Sequence, residues 1–267
     1  LVLLSGSGNP IIAKRVSELI DVPLGNRTLA RFADGEVNLK IPDELRGKHV
    51  YLIQSCAAPV NESVMELLLM ISCARRAGAK RITAVIPYFG YKHHRRYSPV
   101  SSKHQSRFLT SGAMDFAKML EVVGVDSVVS VDIQRPGQGQ EACYFSASVP
   151  LECVVTTNLF VTYLSTKANL RSPMVVVAPN AESLQKAKKF QIALHSAFSA
   201  QHAAAEDDTD GDGDGNSEVR SESSSNPLDI RMAAFFPSST GSGYGRKLEL
   251  LGGASFVGAD VVIVDDI

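Results

Sequence analysis

Neither sign of charge is in excess: 27 basic and 28 acidic residues leave a formal net charge of −1. A general surface for nucleic acid or membrane lipid is therefore not expected, and any charged function must be local. The four cysteines, Cys56, Cys73, Cys143 and Cys153, have no Cys-x-x-Cys spacing, and three of them lie in or beside apolar stretches, as reduced structural thiols do. No stretch reaches the roughly 20 apolar residues of a membrane span, and no basic region followed by a long apolar segment opens the chain. A cytoplasmic protein is the expectation; a start without Met and an end inside a motif lessen the weight of missing targeting signals. Gly-x-Ser-x-Gly, the P-loop and His-Glu-x-x-His are absent too, which argues against the common hydrolase, Walker-type kinase and zincin chemistries.

What is present is enough for a real core: 267 residues, 45% of them hydrophobic, suit one large α/β domain or two smaller ones. Strand-like runs recur at 1–4, 49–54, 82–87, 127–133, 174–179 and 261–264, mostly separated by helix-length segments. That cadence predicts βαβ units. Helices are predicted over 10–20, with Pro10 in the first turn, over 61–77, opened by Asn61 and Glu62, and over 103–122 and 182–194. Apolar residues almost encircle 65–71, the pattern of a buried helix. Residues 199–226 turn acidic and serine-rich and are expected to form a disordered surface insertion. Within them Asp210, Asp212, Asp214 and Gly215 match the opening of a calcium loop, but Ser221 stands where its closing Glu belongs. The predicted halves are 1–149 and 150–267.

Several strand ends carry polar groups, each open to two readings. The final run delivers Asp265 and Asp266, which suit Mg²⁺ or sugar hydroxyls at a carboxyl strand edge, or equally a helix cap. Asp132 repeats that placement ahead of Gln134 and a glycine-bearing turn, and acids from several parallel strands can converge on a cation. Asn180 reads first as a helix cap. Phe32, Asp34 and Glu36 combine a stacking ring with two acceptors, fitting a purine, while Asp34-Gly35 also fits a plain hairpin turn. The aromatics and cations of 87–96, including His93, His94, Arg95 and Arg96, follow a strand directly, as a phosphate site or a solvated basic turn would. Gly6-Ser7-Gly8 lacks the third glycine of a dinucleotide fingerprint and reads as a tight strand-to-helix turn.

Taken in order, Arg31-Phe32-Ala33-Asp34-Gly35-Glu36, Arg46-Gly47-Lys48-His49-Val50, Gln54-Ser55, Pro59-Val60-Asn61-Glu62, Met65-Glu66-Leu67-Leu68, Val85-Ile86-Pro87-Tyr88-Phe89-Gly90-Tyr91, Asp132-Ile133-Gln134 and Val264-Asp265-Asp266 form a pattern. It resembles the ribose-phosphate diphosphokinases, also called phosphoribosyl pyrophosphate synthetases, over nearly the whole chain. The resemblance implies an α/β fold of two phosphoribosyltransferase-like parallel-sheet halves, the second incomplete, with ATP and ribose 5-phosphate bound between them. It implies attack of the sugar's anomeric hydroxyl on the β-phosphorus of Mg-ATP, with AMP leaving. Phe32, Asp34 and Glu36 would hold adenine and contribute across a subunit interface, with His93, Arg95 and Arg96 on the rest of ATP. Asp265 and Asp266 would begin the ribose-phosphate loop, and Asp132, Gln134 and Asn180 would face the Mg²⁺ cofactor. An oligomer is implied, either a dimer-based hexamer of this chain or a hetero-oligomer with a related subunit.

The chain departs from the family pattern at several of these places. Gln134 replaces a metal-binding His, and Ala178-Pro179-Asn180 stands for Ser-Pro-Asp. His93-His94-Arg95-Arg96 replaces an Arg-Gln-Asp stretch, and 234–239 replaces a basic loop without its catalytic Lys. Arg246 and Lys247 are the nearby cations that would take that role, at a position where charge develops in the transition state. These departures motivate a second reading, a non-catalytic regulatory subunit of such an enzyme. A phosphoribosyltransferase is a third, opposed by the duplicated architecture and by 32–36.

Overall fold

β-Branched runs with apolar side chains on both faces assemble the first sheet. The strands are β1 (Val2–Ser5), β4 (His49–Ile53), β5 (Arg81–Ile86), β6 (Ser127–Val131) and β7 (Leu151–Val154), in the order β1-β4-β5-β6-β7 with every neighbouring pair parallel. A parallel sheet needs cover on both faces, which is why its strands lack polar alternation. The computed structural model describes residues 1–91, 112–133, 144–168, 170, 173–180, 183–207, 229–237, 246–251 and 257–265. It divides into two units, Leu1–Val154 and Val155–Ile267. The division falls after Val154 rather than Val149 because β7 pairs with β6 through Val131 and Val154.

In the first unit α1 (Pro10–Leu19) begins where the Asn9 side chain accepts the Ile12 N–H at 3.1 Å, with Pro10 in the first turn. Helix α2 (Val60–Arg76) buries Val64, Leu67, Met70, Ile71 and Ala74, and α3 (Gly112–Val123) buries Phe116 and Leu120. These meet Leu52, Ile82, Ile86 and Val128 in one core, where the Phe89 and Phe116 rings lie 4.8 Å apart. Each such side chain contributes about 1.5–3 kcal/mol of burial. A hairpin of β2 (Thr28–Arg31) and β3 (Val37–Lys40) stands apart from the sheet, and Leu39 and Ile41 pack it against that core.

The second unit centres on β8 (Met174–Ala178), buried along its whole length and flanked in parallel by β9 (Ile230–Pro237) and β11 (Asp260–Ile263). An antiparallel edge strand, β10 (Arg246–Leu251), completes the order β10-β9-β8-β11. Helices α4 (Thr157–Thr166) and α5 (Leu184–Asp207) cover it, with Val161, Met174, Val176, Phe190 and Leu194 in a second core.

Both units have the expected α/β, parallel-sheet construction. Helix α5 continues to Asp207, into the segment expected to be disordered. Its Ala-rich end, with Ala203, Ala204 and Ala205, has the highest helix propensity available. Residues 208–226 lie outside the described residues. The segment read as a loop at 234–239 is strand up to Pro237, because β10 supplies it with antiparallel partners. Among the described residues no helix is long and apolar enough to cross a membrane.

Candidate functional site

At the carboxyl ends of β1 and β4 a partly buried polar network closes the turn into α1. The Gly6 N–H donates to the Ile53 carbonyl at 2.8 Å, and the Gly8 N–H donates to Gln54 Oε1 at 2.9 Å. Glu66, only 3% exposed, accepts at Oε2 from the Ser7 N–H at 3.2 Å, the Ser7 hydroxyl at 2.6 Å and Gln54 Nε2 at 2.9 Å. Gln54 Nε2 also donates to the Ser63 carbonyl at 3.1 Å. Both glycines are required by close approach: a Cβ on Gly6 would sit 2.1 Å from Gln54 Oε1, and one on Gly8 would sit 2.1 Å from the Ser55 carbonyl oxygen. Arg27 caps the same turn, donating to the Ser5 carbonyl and, at 3.0 Å, to the Gly6 carbonyl. Burial lowers its guanidinium from the ordinary value, against the opposing pull of Glu66. The tight-turn reading of 6–8 is therefore what the structure has.

The hairpin tip is built from the residues expected to meet a purine. The Phe32 N–H donates to the Glu36 carbonyl at 2.9 Å, the Gly35 N–H to the Phe32 carbonyl at 3.0 Å, and the Glu36 N–H to Asp34 Oδ1 at 3.1 Å. Gly35 has φ +93°, a left-handed conformation that glycine adopts without penalty. The two readings of 32–36 are thus compatible, since a plain Asp-Gly turn leaves Phe32 52% exposed with Asp34 and Glu36 beside it on the surface. From the base of the tip Arg31 reaches the helix. Its Nη1 donates to the Gly35 carbonyl at 3.3 Å, while Nη2 lies 2.5 Å from Glu62 Oε2 and 3.4 Å from Glu66 Oε1.

Elsewhere in the first unit, Asp132 follows β6 with φ +46° and 8% exposure, and its N–H donates to the Val154 carbonyl at 3.1 Å. A buried acid held in left-handed backbone at a strand end is a place where functional constraint is often found. Gln134 lies outside the described residues, as do His93, Arg95 and Arg96. Of the aromatics ahead of those cations Phe89 is in the core at 1% exposure, while Tyr88 and Tyr91 are half-buried and the Tyr91 hydroxyl donates to Asn61 Oδ1.

In the second unit the Asn180 side-chain oxygen accepts the Ser183 N–H at 2.9 Å and lies 3.1 Å from the Ser183 hydroxyl, which fixes Ser183, the residue whose carbonyl accepts the first bond of α5. Asp265 is exposed after β11, and its carbonyl accepts from Lys186 Nζ at 3.1 Å; Asp266 lies outside the described residues. Arg246 and Lys247 stand opposite Pro237 and Phe236 in the register of β10 with β9. Their backbone therefore shares the sheet edge where β8 and β11 deliver Asn180 and Asp265. Among the described residues no three His, Cys, Asp or Glu side chains gather as a metal cluster.

Sequence reasoning missed Glu66, Gln54 and Arg31 as parts of this site. The available signal was an acid within the apolar run of a buried helix, since charged side chains are almost never buried without partners.

Residues 1–124 match the family model described as the N-terminal domain of ribose phosphate pyrophosphokinase. Ribose-phosphate pyrophosphokinase of Haemophilus influenzae is 37% identical over 186 residues, covering 70% of this chain and 55% of that protein. The protein of the same name from Clostridium tetani is 34% identical over 197 residues, 73% and 58% of the two chains. Ribose-phosphate pyrophosphokinase 1, chloroplastic, of Arabidopsis thaliana is 35% identical over 190 residues, 71% and 44%. The chain spans about half the length of these curated relatives. A crystal structure of phosphoribosylpyrophosphate synthetase from Mycobacterium smegmatis matches with a TM-score of 0.69 over 99% of this chain and 70% of that one, at 23% identity, a likeness of fold.

Proposed function

The chain belongs to the ribose-phosphate pyrophosphokinase family, and from that premise we propose that this protein transfers the diphosphoryl group of Mg-ATP to ribose 5-phosphate, releasing AMP. The observation that carries the reading is the hairpin tip, where a half-exposed Phe32 stands beside Asp34 and Glu36 on a turn braced against a buried carboxylate. Phe32 stacks on adenine, and Asp34 and Glu36 accept from its exocyclic amine. His93, Arg95 and Arg96 neutralise the phosphates. Asp265 and Asp266 accept from ribose hydroxyls, and Arg246 or Lys247 supplies a cation against the charge that develops as the β-phosphorus changes partners.

Mg²⁺ keeps several waters and takes one or two carboxylates plus phosphate oxygens, so a single buried acid at a strand end fits it without a protein cage. Asp132, with Gln134, would hold it in the first unit; in the second unit Ser183 already engages the Asn180 side-chain oxygen. When bound, the ion neutralises charge on the phosphates. The protein acts in the cytoplasm as an oligomer, either a dimer-based hexamer of this chain or a hetero-oligomer with a related subunit.

The test is purified protein incubated with Mg-ATP and ribose 5-phosphate, with AMP measured by chromatography and ATP binding by equilibrium dialysis. AMP formation dependent on the sugar phosphate is expected. ATP binding without AMP from the isolated protein would replace this reading with the regulatory-subunit one, and no ATP binding at all would overturn both.

A further inference from the structure

We propose that Arg31 is a positioning residue for nucleotide recognition, a clamp that fixes the purine-facing hairpin tip to helix α2 without touching the nucleotide. This rests on the reading of 32–36 as a purine site. Arg31 sits at the last β2 position, paired with Val37, so its side chain leaves the hairpin where the tip begins. One arm of the guanidinium holds the tip's own Gly35 carbonyl at 3.3 Å, and the other lies against Glu62 and Glu66 of α2 at 2.5 and 3.4 Å.

The two acids are not equivalent. The Glu62 side chain is 48% exposed, so its pairing is screened by water and holds the tip weakly. The Glu66 side chain is 4% exposed, and its second oxygen is fixed by Ser7 and Gln54. At 3.4 Å this contact is longer than the one to Glu62, but its acid is held in place, so it gives the guanidinium a fixed charge to face. The clamp therefore has one end on the tip and the other in a network tied to β1, the sheet and α2. The hairpin needs it: a two-stranded ribbon of four residues a strand is marginal by itself, and its apolar attachment through Leu39 and Ile41 lies beyond the tip. Ordering a loose tip at the moment of binding would weaken affinity, and a fixed tip avoids that loss.

The chain has no tryptophan, so Phe32→Trp places a sole indole at the tip, excitable at wavelengths where the seven tyrosines do not absorb, that can still stack on a base. With Arg31 intact, time-resolved anisotropy should follow overall tumbling. Arg31→Ala should add a large subnanosecond component and weaken Mg-ATP quenching of the fluorophore by about tenfold. Glu62→Gln should do this partly and Glu66→Gln more fully, each checked for folding by circular dichroism. Arg31→Lys should recover part of the effect, since an ammonium keeps the charge and loses the fork. In the native Phe32 background Arg31→Ala should raise KM for ATP and leave kcat and KM for ribose 5-phosphate unchanged.

Anisotropy unchanged by Arg31→Ala would overturn the clamp. ATP binding weakened by Arg31→Ala with no effect of either Glu variant would make Arg31 a direct ligand and overturn the positioning role. Tip mobility that responds as expected while the parent reporter shows no ATP quenching would remove the purine premise and with it the recognition role.

Discussion

A carboxylate persists at 3% exposure in Glu66 because one oxygen accepts from Ser7 and Gln54 while the other faces Arg31. Removing it leaves the Gln54 amide without that partner in the interior, while Ser7 and Arg31 can turn to water. Glu66→Ala is expected to cost about 1–3 kcal/mol of stability, read as a lower urea midpoint, with Glu66→Gln intermediate. Cys56 is a second residue-scale case, its thiol raised to about 12 by burial, with Glu66 adding a minor push upward and a Gly90 backbone hydrogen bond opposing. Below a pH of about 9 both states hold the proton and the contribution is complete; as pH rises toward 12 the unfolded thiol ionises first, so that contribution is lost. Urea unfolding across that range should therefore fall more steeply for the native chain than for Cys56→Ala. In the folded chain Cys56 should also resist thiol reagents at pH 8.

At the level of elements, strands with both faces buried were readable because β-branched runs announce themselves, as in Val175-Val176-Val177 of β8. Strand β10 was not, since Arg-Lys-Leu-Glu-Leu-Leu has a helix-like composition and becomes strand only by pairing with β9. Strand β7 carries Glu152 and Cys153 in too short a run to stand out, and it is set by its parallel partner β6. The hairpin tip was legible because Phe32, Asp34, Gly35 and Glu36 lie within five residues of one another in the chain. The Glu66 network was not, because Ser7 meets Glu66 from 59 residues away in the chain. The turn chemistry of the tip also makes a prediction of its own. Gly35→Ala forces a Cβ into φ +93° with open space around it, so strain alone acts, about 1–2 kcal/mol. A corresponding drop in stability, with weaker ATP binding by dialysis, is expected.

For the whole molecule, the two units carry separate apolar cores, one around Leu67, Phe89 and Phe116 and the other around Met174, Val176 and Phe190. Residues 1–154 expressed alone should consequently give one cooperative thermal transition, and loss of that transition would show that the first core depends on the second unit. Family membership joins the parts into one proposed reaction, in which the bond broken lies between the α- and β-phosphates of ATP. Phosphorus NMR of a mixture of the protein, Mg-ATP and ribose 5-phosphate observes that bond directly. The account predicts AMP and a sugar bearing a diphosphate at its anomeric carbon, in equal amounts. ADP with a singly phosphorylated anomeric carbon, or ATP left intact, would contradict it.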